Sequence, residues 1–224
     1  MKEQFLFDSA FANGAYSQSY GLESYILNAS INDAKSFQVW LNAFMVESFA
    51  TNDGVVFVLA NEFKNKKLSL LKLARLHNSS ILSSECKSAN INMTKATLKN
   101  TEFMHDDLAK WYFNVCENDN FCSLAVAFSL FSNDLESFAY SSIKTLIINA
   151  TRAIPIPYKK SSELLFLNID LAKKSAQKSR QLAKNILKDG FVSMQNTKAL
   201  FHTNYELEFF MMAHKNLDFR LFMS

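Results

Sequence analysis

Glycine and proline are nearly missing from this chain, with four and two among 224 residues, against average usages of roughly 7% and 5%. That shortage removes the turn chemistry on which many-stranded sheets depend and leaves long helices as the expected element. It also nearly excludes phosphate-cradling loops: the chain carries no Walker loop, Rossmann glycine fingerprint, HExxH pair or nucleophile elbow. Cysteine is scarce as well. Cys86, Cys116 and Cys122 are odd in number and match no zinc-ribbon or CxxC spacing, which predicts reduced, structural thiols in a cytoplasmic protein. Long apolar runs are absent, since stretches such as 146–148 and 164–167 end well before the ~20 residues of a bilayer span. No charged-then-apolar leader precedes Phe5, so neither a transmembrane helix nor a membrane partner is expected. Excess charge is lacking too; a net +3 is too small to make nucleic acid the default partner.

What the chain does have is apolar bulk: 49% hydrophobic residues, with 21 Phe against 7 Tyr and 2 Trp. Such side chains build either a core or a sizeable adhesive surface. Periodicity predicts helices along most of the length. Phe37, Trp40, Leu41, Phe44, Met45 and Phe49 recur at helical intervals after a cap at Asn32 or Asp33, and residues 51–54 then interrupt. Val55 to Phe63 and Leu68 to Leu76 follow, residues 78–80 make a break, and a polar helix from Ser83 toward Phe103 looks exposed. His105-Asp-Asp107 caps the next helix, 121–131 reads as a central buried one, and Asp134 to Ala153 runs until Pro155 and Pro157 stop it. Ser161 or Ser162 with Glu163 opens a last helix toward Lys188 and a cap at Gly190, with an irregular tail after Asn204. The expected fold is all-α, a single-domain helical bundle of roughly eight to ten helices over residues 1–224.

Candidate chemistry is sparse. His77, His105, His202 and His214 are scattered; His105-Asp106-Asp107 is the most ligand-like group, and a small α-helical enzyme using it as an acid/base or metal centre is the alternative reading. Lys173, Lys174, Lys178, Arg180, Lys184 and Lys188 lie roughly along one helical face, a solvated surface or a docking face for an acidic protein or RNA. Asp8 to Glu23 concentrates Gly14 and Gly21 beside closely spaced hydroxyls and aromatics, so the backbone there turns tightly or passes close to something. Arg220-Leu-Phe-Met-Ser224 is an apolar tail with one planar cation, the composition of an interface hot spot.

Asp8-Ser-Ala-Phe11, Gly14, Tyr16-Ser-Gln-Ser-Tyr20 and Gly21-Leu-Glu23 resemble the N-terminal signature of the UreF family of urease accessory proteins. Arg152-Ala-Ile-Pro155 looks like that family's basic-residue-to-proline element, and His214 with Arg220-Leu-Phe222 looks like its C-terminal signature. Departures mark a divergent member: Ala12 replaces the usual proline, Ser161-Ser162 a common Gly-Gln pair, and Lys87 and Thr94 stand near the family's arginine and glycine after a Glu. The resemblance implies a non-catalytic scaffold without cofactors. It would form a homodimer and bridge the GTPase UreG to UreD (also called UreH) for GTP-dependent nickel insertion into apo-urease. Phe11, Gly14, Tyr16, Ser17, Ser19, Gly21, Glu23, Arg152, His214, Arg220, Leu221 and Phe222 are then the expected partner-binding residues. Segments 1–20 and 205–224 are expected to depend on the partner for their order.

Overall fold

A computed structural model describes residues 2–188, 204–217 and 220–223. Every regular element among them is helical. The N-terminal part carries α1 (Lys2–Leu6), α2 (Leu22–Leu27), α3 (Ala34–Ala43), α4 (Asp53–Glu62), α5 (Lys67–Ser80) and α6 (Ser84–Asn100). Beyond these come α7 (Asp107–Asn118), α8 (Leu124–Phe131), α9 (Leu135–Ala153), α10 (Tyr158–Leu167), α11 (Ile169–Lys188) and α12 (Tyr205–Ala213). The expected all-α bundle is therefore observed.

Local sequence sets many of the boundaries. Asp33 and Ser36 form a reciprocal capping box at the start of α3, Asp106 accepts the Ala109 N–H at α7, Ser123 that of Val126 at α8, and Asp134 that of Ser137 at α9. Each side chain satisfies a donor that the first helical turn leaves open. α4, α8, α9 and α11 form the centre: α4 packs on α8 and α11, and α11 on α9. A stripe of small residues on α11, comprising Ala172, Ser175, Ala176, Ser179 and Ala183, is buried and lets the neighbouring backbones approach. Gly54 of α4 meets it, and the space beside Gly54 is filled by Ser179 and Phe49. Five of the six basic residues between Lys173 and Lys188 are exposed; Lys178 reaches inward to the Val46 carbonyl at 2.8 Å, and Arg180 pairs with Glu136 at 3.0 Å.

Four boundaries differ from expectation. The helix predicted to run unbroken to Phe49 changes at Phe44–Ser48 into a π-helical turn and then a 3₁₀ turn at Phe49–Thr51. The carbonyls of Val46 and Ala50 there receive Lys178 and Ser179 from α11, tertiary partners that no local pattern reveals. Residues 78–80 do not break α5, because Ser80 Oγ donates to the His77 carbonyl at 2.7 Å and Asn52 donates to Ser80 at 2.9 Å. α10 starts at Tyr158, not at Ser161 or Ser162, and Asn168 ends it before α11 begins. Residues after Asn204 form α12, capped by the Asn204 side chain, where an irregular tail was expected. Gly190 and His202 lie outside the described residues.

The polar helix α6 also departs from its pattern: it buries Cys86, Ala89, Asn90, Met93, Thr94, Thr97 and Leu98. Its polar groups are largely satisfied within the fold. Asn90 donates to the Cys122 carbonyl at 2.9 Å and accepts the Leu124 N–H at 3.0 Å, and the Thr94 hydroxyl returns to the Asn90 carbonyl at 2.6 Å. Among the described residues one stretch, Ala34–Glu62, is long and apolar enough by length and composition to cross a membrane, yet 72% of its 18-residue apolar window is buried inside the bundle. It serves here as core, with Phe37, Leu41, Val55 and Leu59 fully enclosed.

Candidate functional site

Glu23 is the centre of the best-connected polar cluster. Its carboxylate sits in the first turn of α2, 4% exposed, with one oxygen 2.9 Å from His214 Nε2 and 3.1 Å from the Phe222 N–H, and the other accepting the Leu221 N–H. The opposite ring nitrogen of His214 lies 2.7 Å from Glu85 of α6, whose second oxygen takes the Arg220 guanidinium at 2.7 Å. Arg220 also donates to the Lys215 carbonyl. Both nitrogens of a fully buried imidazole thus face carboxylates, and a ring with a proton on each donates to both. Charge-assisted bonds of this kind, shielded from water, fix geometry far better than exposed pairs do.

The N-terminal segment is shaped to receive the tail. Between Ala15–Ser17, a 3₁₀ turn, and α2, the backbone takes two successive left-handed residues, Tyr20 (φ 51°) and Gly21 (φ 82°). Local turns satisfy some of the N-terminal segment's carbonyls, and side chains of α9 satisfy others. Lys144 donates to Phe7 at 3.0 Å, Asn149 to Gln18 at 2.7 Å, and Arg152 to Tyr16 at 2.8 Å. The Arg152 guanidinium then lies 5.0 Å from the centre of the Phe222 ring, a cation–π contact on a buried aromatic. The Met223 N–H donates to the Ser17 carbonyl at 2.8 Å.

α12 completes the assembly. Its last carbonyls, at Phe210 and Met211, accept Ser24 of α2 at 3.0 Å and Ser83 at 3.2 Å, and the Phe210 ring lies 4.0 Å from that of Tyr25. A side chain at Gly21 would come within 3.0 Å of the Met211 side chain and 3.1 Å of its backbone nitrogen. Gly21→Ala therefore combines a left-handed alanine, costing about 1–2 kcal/mol, with a collision against α12. The expected result is a lowered melting temperature and faster amide exchange in α12, measured by hydrogen–deuterium exchange. Gly14 (φ +87°) has open space around it, so only its backbone conformation requires glycine.

Glu208, on the buried side of α12, has its pKa pushed up to about 7 by burial, partly offset by the Leu82 N–H. A carboxyl that binds its proton more tightly when folded stabilises the docked helix less as pH rises from its ordinary 4.5 to about 7. Glu208→Gln is expected to abolish that part of the pH dependence and to slow α12 exchange above the window while leaving it unchanged below. Exchange rates on the two sides of the window test this.

Of the expected partner-binding residues, the fold brings together Tyr16, Ser17, Glu23, Arg152, His214, Arg220, Leu221 and Phe222, with Ser19 and Gly21 in the connecting turn. Phe11 lies apart, its ring edge-on to Phe5 at 5.4 Å and lining a cavity of about 130 Å³ together with Tyr20, Phe44 and Asn149. Glu85 was missed: as the second residue of a polar helix it reads as an ordinary first-turn acid, and only its position opposite His214 reveals its role. His105 and the two following aspartates do not converge on one centre. His105 stacks on Phe131 at 5.6 Å and faces Thr101 at 3.4 Å, while Asp106 caps α7. No group of three or more His, Cys, Asp or Glu suited to a metal ion occurs among the described residues.

The UreF family model matches residues 31–166, more than half of the chain. The chain belongs to the UreF family. Proteins named urease accessory protein UreF are similar to it over almost the full length. The one from Lachnoclostridium phytofermentans is 27% identical over 231 residues, covering 98% of this chain and 96% of that protein. The one from Bacillus sp. strain TB-90 is 26% identical with the same coverage, and that from Streptococcus salivarius is 24% identical, covering 97% of this chain and 91% of the relative. Membership assigns this UreF-family chain to urease maturation. Glu23, His214 and the tail that closes on them lie outside the span of the family model, whereas Glu85 and Arg152 lie within it.

Proposed function

We propose that this chain is a non-catalytic, cytoplasmic scaffold of urease maturation that joins the GTPase UreG to UreD/UreH and so supports GTP-dependent nickel insertion into apo-urease. Nickel is cargo of the complex and needs no resident site here. One observation carries the reading: three segments far apart in sequence, around Glu23, Arg152 and Arg220–Phe222, meet at one place. Beside them stand exposed apolar side chains, Tyr16 at 66%, Met223 at 69% and Phe209 at 62%. Buried charge fixes the frame while aromatic and Met side chains are left for a partner, the composition of a protein interface.

In this reading the chain works as a homodimer, and the segments 1–20 and 205–224 complete their order against UreD. Deleting residues 216–224 is expected to abolish co-purification with UreD and to leave urease unactivated in a co-expression assay, with the helical content of the remaining bundle retained by circular dichroism. Unchanged co-purification and activation would overturn the reading. The His105 enzyme has less support, since His105 is packed against Phe131 and Asp106 is committed to a cap. His105→Ala is expected to leave nickel insertion intact.

A further inference from the structure

The cavity beside Phe11 has the chemistry of a cation site. It encloses about 130 Å³ and is lined by seven aromatic rings, drawn from the N-terminal segment, the turns after α3, and helices α8 and α9. Tyr20 packs on Phe44 at 5.6 Å, and Phe138 joins Phe49 at 5.2 Å and Phe128 at 5.3 Å. Ring faces are negative. Asp8 and Asp53 line the same space, and among the described residues no Lys, Arg or His does. Asp8 is exposed, whereas the Asp53 side chain, at the start of α4, is 32% accessible. Behind Asp53 stands the buried His77, its Nε2 3.3 Å from the carboxylate and its Nδ1 2.7 Å from Ser123 Oγ. A neutral ring that accepts the Ser123 proton donates from Nε2 and leaves Asp53 its charge. Burial, with the Asp53 charge added, raises the Tyr20 hydroxyl above its ordinary value, which keeps that ring neutral. The half-buried Ser141 and Thr145 of α9 connect the cavity to solvent.

We propose that this cavity binds a small quaternary ammonium ion, its methyl groups against the aromatic rings and its charge compensated by Asp53. Three properties select that class. The volume sets the size: an apolar cavity of roughly 150 Å³ takes benzene, so the ligand has about five or six heavy atoms. The walls select the surface. A quaternary ammonium carries no N–H that would need an acceptor, and its contact with ring faces strengthens when water is excluded. The donors exclude a bare metal ion, because no group of three or more His, Cys, Asp or Glu gathers among the described residues. A neutral apolar molecule of the same size would gain nothing from Asp53.

Tetramethylammonium and tert-butanol, a cation and a neutral molecule of similar shape, are the probes. Titrated into the full-length protein and followed by calorimetry and NMR, tetramethylammonium is expected to bind with a Kd of about 1 mM, within reach of a ligand this small. Its methyl protons should show Overhauser contacts to phenylalanine rings. tert-Butanol should bind at least about tenfold more weakly, and Asp53→Asn should weaken tetramethylammonium by at least about tenfold while leaving tert-butanol unchanged. Ser141→Leu places an apolar side chain at the half-buried rim and should abolish binding of both, with circular dichroism retained; it tests the site independently of how well Asp53→Asn folds. Equal affinity for the two probes, full tetramethylammonium affinity in a folded Asp53→Asn protein, binding that survives Ser141→Leu, or no binding to the unaltered protein would each overturn the proposal.

Discussion

Glu23→Ala is expected to cost about 3 to 5 kcal/mol, the usual penalty for removing one partner of a buried, hydrogen-bonded charge pair. The loss is specific in location. Without the carboxylate, His214 keeps only Glu85, and the N–H groups of Leu221 and Phe222 lose their acceptor, each left in a largely dry site at a further cost. The tail and the end of α12 should come away first, with α4, α8, α9 and α11 still folded. Limited proteolysis should cut after Lys215, thermal unfolding should lose its single transition or shift to lower temperature, and co-purification with UreD should fall in parallel with the tail deletion. Glu23→Gln, which keeps one acceptor oxygen, should fall between. If Glu23→Ala retained full protection of residues 205–222, the cluster would not be what holds the tail.

Gly54→Ala is the second substitution with a large expected effect, and it acts at the opposite end of the structure's logic. A Cβ at Gly54 would overlap Ser179 Oγ and press on Ser179 Cβ at 3.0 Å and the Phe49 ring at 3.3 Å. Ser179 cannot turn away freely, because its hydroxyl donates to the Ala50 carbonyl at 2.9 Å and to that of Ser175 at 3.0 Å. Overpacking of this kind costs about 1–3 kcal/mol, and the upper end is expected where α4 meets α11. Adding Ser179→Ala removes the overlapping oxygen and should restore part of the loss, so that the double variant is more stable than the sum of the single effects. Chemical denaturation of the three variants measures the coupling.

The fold class was legible because glycine and proline poverty and capping residues act locally: the helix starts at Asp33, Asp106 and Asp134 were readable one helix at a time, whereas the cap at Ser123 was not, since the pattern starts that helix at residue 121. What escaped were features settled by distant partners. The π-helical turn at Phe44–Ser48 receives Lys178 and the 3₁₀ turn after it Ser179, both from α11, and the burial of polar α6 depends on Asn90 finding the backbone of residues 122 and 124. The site divides the same way. Glu23, Arg152, His214 and Arg220 stood out through a family signature, whereas Glu85 carries no mark in the sequence, being one acid among many at a helix start. Proximity alone distinguishes it.

Glu23 and Phe222 are 199 residues apart along the chain, yet one accepts the other's N–H. Contacts of such span are the last to be rewarded during folding, since the connecting chain must be ordered first. Leu22 and Tyr25, both buried against the finished structure, therefore emerge from the ribosome long before α12 exists to cover them. A nascent chain must keep this apolar turn of α2 out of wrong associations until residues 205–222 arrive. The surface beside Glu23 therefore acquires its final shape only once residues as far along the chain as Phe222 have been made.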